Sequence, residues 1–141
     1  MSAPLTSTAT ITVTVFNDTP VKFFLANSRG TQVYRNDSTG KPLSPFASSI
    51  SGQTHVGVAS NLAGDRVWML GSGGRINVHN GSNALLGSWQ ASGLSNPQDI
   101  ATDGTDIWIV DAGSDTLVRF ANAASVTNSG TSQWNVHRSD E

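Results

Sequence analysis

The sequence predicts an all-β protein made of antiparallel four-stranded, blade-like repeats, preceded by a single N-terminal strand. Three observations carry this. First, only 13% of the 141 residues are charged and 37% are hydrophobic, with Ser, Thr, Asn and 14 Gly filling the difference. Ser, Thr and Asn compete with a helical backbone for hydrogen bonds, so such a chain is a poor helix former. Second, short apolar runs alternate with turn residues along most of the chain, the pattern of strands joined by hairpin loops. Third, these runs recur as sets at a near-constant period.

The elements follow in order. Over 8–16, Ile11, Val13 and Val15 alternate with Thr10, Thr12 and Thr14, giving a strand with one apolar and one hydroxyl face. Asn17-Asp18-Thr19-Pro20 breaks it and sets a boundary between 1–20 and 21–141. Short strands are then expected over 21–25, 32–35, 42–46, 56–60, 66–70, 75–79, 85–89, 99–102, 106–110, 116–120 and 133–136, with Gly, Asn or Asp in the connections. The Ala-rich stretch 122–126 is too short for a stable helix.

The period emerges from aromatic positions. Trp68 and Trp108 stand 40 residues apart in Val67-Trp68-Met69-Leu70 and Ile107-Trp108-Ile109-Val110. Phe24 occupies the same place in an earlier copy. A second aromatic recurs in the fourth strand of each unit at Phe46, Trp89 and Trp134. Four strands in about 40–45 residues is the period of a β-propeller blade. The units span approximately 21–52, 53–93 and 94–141, and the first lacks its innermost strand. Propellers close with about 4–8 blades, so fewer than three implies further blades from a longer chain or self-association.

The run Pro97-Gln98-Asp99-Ile100-Ala101-Thr102-Asp103, then Ile107-Trp108-Ile109-Val110-Asp111 and Leu117-Val118-Arg119-Phe120, resembles an NHL-type propeller repeat. Asp99 stands where that family prefers Gly, and the second copy lacks the Pro. The resemblance covers roughly 21–137. The segment 8–20 is similar to the end of a bacterial cadherin-like or Ig-like repeat. Together they imply part of a large exported or cell-surface bacterial protein, although 1–6 has no signal-peptide pattern.

Several functions are excluded or weighed on residue chemistry. Eight scattered basic residues and a net charge of −2 leave no footprint for nucleic acid. Cysteine is absent, and no apolar run approaches the roughly 18 residues of a membrane span. There is no nucleophile elbow, phosphate loop or His-Glu-x-x-His pattern. Asp103 and Asp106 flank a hairpin tip and are the candidate calcium ligands, against the plainer reading of Asp as a turn residue. His55 and Asp99 lie near innermost strands, the only residues placed for a calcium-dependent hydrolase or lyase of the propeller kind. Phe24, Trp68, Trp108, Phe46, Trp89 and Trp134 read as packing between blades, against stacking on sugars in a lectin-like repeat. The expectation is a non-catalytic binding or scaffold module with a protein or glycan ligand, no catalytic residues and no resident cofactor.

Overall fold

The computed structural model describes residues 23–47, 50, 52–127 and 137–138, the last two by backbone alone. The expected strand over 8–16, the boundary at 17–20, the expected strand over 133–136 and Trp134 lie outside the described residues. Among the described residues, eleven strands form three antiparallel sheets, with one short 3-10 turn beside them. Sheet I contains β1 (Phe23–Ala26), β2 (Gln32–Asn36) and β3 (Pro42–Ala47). Sheet II contains β4 (His55–Ser60), β5 (Arg66–Gly71), β6 (Arg75–Asn80) and β7 (Leu85–Gln90). Sheet III contains β8 (Pro97–Thr102), β9 (Ile107–Asp111), β10 (Thr116–Phe120) and β11 (His137–Arg138). Each sheet is a meander in chain order. The Ala-rich stretch makes only a 3-10 turn at Ala123–Ser125.

Backbone register reproduces the sequence repeat. Ala59 pairs with Trp68 and Trp68 with Val78; Ala101 pairs with Trp108 and Trp108 with Arg119. In sheet I, Phe24 pairs with Arg35. Phe46 lies opposite Val33 as Trp89 lies opposite Ile76. The inner strands β4 and β8 are both irregular one step after their first residue, between His55 and Gly57 and between Pro97 and Asp99. The β4 position takes glycine for a steric reason. A Cβ at Gly57 would stand 2.9 Å from both Asp99 Cα and the Ile100 backbone nitrogen, so a side chain would push the two inner strands apart.

Two apolar seams hold the sheets face to face. Between II and III, Ala59, Trp68, Leu70, Ile76, Val78 and Trp89 meet Ile100, Ile107, Ile109, Val118 and Phe120. The Trp89 and Phe120 rings meet edge to face at 5.5 Å, a favoured aromatic geometry. Between I and II, Val33, Phe46 and Ile50 meet Val67 and Met69, with Phe24 and Val58 alongside. Sheet II is thus covered on both faces, and β5 reads as a nearly continuous buried run. Sheets I and III are covered on one face each, and their strands alternate between buried and exposed.

Candidate functional site

A cleft of about 360 Å³ lies at the open edge of the II–III seam. It is in the size range of small-ligand sites. Its walls come from the β4–β5 loop (Asn61, Asp65), the start of β5 (Arg66, Trp68), Leu86 of β7, Gly104 and the 3-10 turn (Ala124, Ser125). Turn chemistry fixes the polar wall. Asn61 Oδ1 accepts the Arg66 backbone N–H at 3.1 Å, and Asn61 Nδ2 donates to Asp65 Oδ1 at 2.6 Å. Arg66 Nη1 crosses the seam to donate to the Ala124 carbonyl at 3.0 Å. A cation and a carboxylate therefore share the lining with an apolar floor of Trp68 and Leu86. The Trp68 indole N–H in that floor is buried with no hydrogen-bond partner. No sequence motif marks this cleft, because its residues come from five separate loops and strands.

The hairpin acids fold inward onto their own backbone. Asp103 Oδ1 accepts the N–H groups of Thr105 and Asp106, both at 2.8 Å. These donors hold the Asp103 carboxyl below its ordinary value. Asp106 is buried, pairs with the Arg119 guanidinium and accepts the Asn122 N–H at 2.8 Å. Among the described residues, no three His, Asp or Glu groups converge. A calorimetric titration with calcium is expected to give no heat from this hairpin, and a saturable exotherm lost in Asp103→Asn would refute that expectation.

Neither residue weighed for catalysis lines the cleft beside Arg66; Asp99 instead borders a small concavity of about 60 Å³ with Trp108, Val110 and Leu117. His55 is buried where sheets I and II meet, with Nδ1 3.3 Å from the Gly30 carbonyl. Asp99 is exposed, and its Oδ1 accepts the Ile100 N–H at 2.8 Å. His79 is buried in the I–II seam, stacked beside Phe46 with ring centroids 6.3 Å apart. Burial holds its imidazole below the ordinary histidine value, opposed by the Asn83 carbonyl that accepts from Nδ1. The Arg35 guanidinium carbon lies over the Phe46 ring, 4.3 Å from its centroid.

Trp68 and Trp89 are each only 1% exposed. Neither can offer a ring face to a sugar, which removes these two residues from the lectin-like reading. Phe46 is equally buried, Phe24 packs at the edge of the I–II seam, and Trp108 lies half-buried on the outer face of sheet III.

Asp111, which ends the Ile107–Asp111 run of the third repeat, is a structural centre. Fully buried, it accepts the N–H groups of Ser95 at 2.9 Å, Asn96 at 2.6 Å and Gly113 at 3.3 Å, and the Ser114 hydroxyl at 3.0 Å. It thereby ties the β9–β10 hairpin to the loop that enters the inner strand. In sheet II, Gln53 does the corresponding work by accepting the Gly73 N–H at 2.9 Å.

Three stacked antiparallel meanders with inner strands side by side define a propeller-like all-β fold, and solved structures agree. The chain is similar to Hsv2 from Kluyvelomyces marxianus, with TM-score 0.51 and 12% identity over 70% of this chain. It spans 35% of that Hsv2 chain. A KlHsv2 form with loop 6CD replaced by a Gly-Ser linker gives TM-score 0.45 and 16% identity, covering 74% of this chain and 40% of that one. No protein-family model matches the chain, and no curated protein matches it. No helix among the described residues is long and apolar enough to cross a membrane.

Proposed function

We propose that this chain is a non-catalytic binding or scaffold module that acts as part of a larger propeller. One observation carries the reading. The outer faces of sheets I and III present, at the same register positions, the residue types that are buried in the seams. Phe23, Leu25 and Tyr34 are exposed on one side, Val110 and Leu117 on the other. Contiguous exposed apolar surface of this kind marks an interaction face, and stacked repeats need neighbours to cover their ends. The neighbours are further blades of a longer chain or another copy of this one.

Within the propeller class we assign the sheets to NHL-type repeats. The Asp111 bridge, at the end of the Ile107-Trp108-Ile109-Val110-Asp111 run, supports this by giving that position a structural task. The cleft beside Arg66 is the place for a ligand, of protein or glycan origin, recognised by loops rather than by stacking on Trp68 or Trp89. The module belongs to an exported or cell-surface bacterial protein, on the resemblance of its N-terminal segment.

Light scattering on the isolated chain is expected to show association. A stable, non-associating species at 14.8 kDa over a wide concentration range would overturn the reading.

A further inference from the structure

We infer that the outer face of sheet III is a docking surface for the outer face of sheet I from a second copy of this chain, so that two chains close head to tail. The inference rests on the reading above and gives it a partner and an interface. The strand register supplies the argument.

Trp108, Val110 and Leu117 on the outer face of sheet III hold the register positions of Trp68, Leu70 and Ile76 in sheet II. In sheet II those three are buried, and what covers them is Ile107, Ile109 and Val118 of sheet III. In sheet I, the positions of Ile107, Ile109 and Val118 are held by Phe23, Leu25 and Tyr34. Each chain thus displays both halves of the contact its own sheets already make. One half is Phe23, Leu25 and Tyr34, at 52, 52 and 45% exposure; the other includes Val110 and Leu117, at 47 and 48%.

A polar contact points the same way. Arg119 occupies the position of Arg35. Arg35 reaches across the I–II seam, where its Nη1 donates to the Gly81 carbonyl at 3.1 Å. The Arg119 side chain is held to Asp106 through Nε and Nη2 yet stays 46% exposed, so it lies at the edge that a docked sheet on the same side would meet.

The two patches lie on opposite ends of the stack, so the contact is heterologous. Such contacts form rings when the rotation between subunits closes and open filaments when it does not. Three sheets are half of a six-sheet ring, within the roughly four to eight blades that propellers use. Two copies related by a twofold axis along the ring centre close it. Pairing two sheet III faces with each other offers no register-matched partner of this kind.

The test is solution mass by light scattering on the wild type, Leu117→Lys, Leu25→Asp and an equal mixture of the two variants. Both positions are exposed, so circular dichroism of each variant is expected to match the wild type. The wild type is expected at twice the 14.8 kDa chain mass, and each variant at the mass of one chain. The mixture is expected to regain the two-chain species, because one seam is then unaltered and the other sets Lys against Asp. Loss of the dimer in Leu117→Lys but not in Leu25→Asp would show face-to-face pairing and overturn the inference. Open-ended growth, a variant mixture that stays at one chain, or a dimer that neither variant disturbs would overturn it too. In all of these the wild type still associates, so the broader reading stands. Only a wild type that stays at one chain at every concentration overturns both.

Discussion

Trp68→Ala is expected to lower folding stability by about 3–5 kcal/mol, the usual cost of emptying a buried Trp or Phe site. Domains of this size are stable by only roughly 5–15 kcal/mol, so the variant should be largely unfolded at moderate urea. Trp68 sits at the middle of sheet II, which is covered on both faces, among Leu70, Ile76, Val78 and Trp89 and against Ile100 and Ile109 of sheet III. The surrounding strands are fixed by hydrogen bonds on both sides and cannot collapse into the void. Trp108 is the internal control, with the same residue type and the same register position in the next sheet. It is half-buried because, among the described residues, no further sheet covers it. Trp108→Ala is therefore expected to cost much less in intramolecular stability. Urea unfolding followed by circular dichroism measures both, and equal losses at the two positions would contradict this account of the seams.

Asp111→Ala is expected to cost about 2–4 kcal/mol, because deleting an acceptor strands its buried donors. Four donors converge on this carboxylate, from Ser95, Asn96, Gly113 and Ser114. Asp111→Asn keeps one acceptor oxygen and is expected to lose roughly half as much. The residue also sets an acid limit. Burial alone pushes the Asp111 carboxyl up, but the donors outweigh it and hold the group below its ordinary 3.8. A carboxyl depressed in the fold takes its proton first in the unfolded chain, so the stability it contributes is present above about pH 4 and is lost as the pH falls through the folded value. Asp37 and Asp103 are depressed in the same direction by their own turn donors and add to the same acid limb. Asp111→Asn should flatten that limb. An unchanged stability–pH profile below pH 4 would remove Asp111 from the account.

The strands between 23 and 120 were legible because their signals are local. Alternation of Val, Ile and aromatic residues with Ser, Thr and Asn is written in consecutive residues, and glycine or Asx turns punctuate it. The match of Trp68 to Trp108 and of Phe46 to Trp89 was legible for the same reason and is realised in the register. The candidate site was not. Arg66, Asn61, Gly104 and Ala124 meet only because the II–III seam brings three connections to one edge. Asp111 was visible as a repeat residue, yet its four donors come from a loop some fifteen residues earlier and from its own turn.

The sequence by itself determined that this chain is all-β, that its strands come in repeating sets, and which residues share a face within each set. A period-two pattern needs only the backbone of one strand. What covers each face was decided by the tertiary structure alone, because cover is supplied by the neighbouring sheet. That is why Trp68 is core and Trp108 only half-buried, why His55 lies buried beside Gly30, and why the two ends of the stack leave Phe23, Leu25, Val110 and Leu117 exposed.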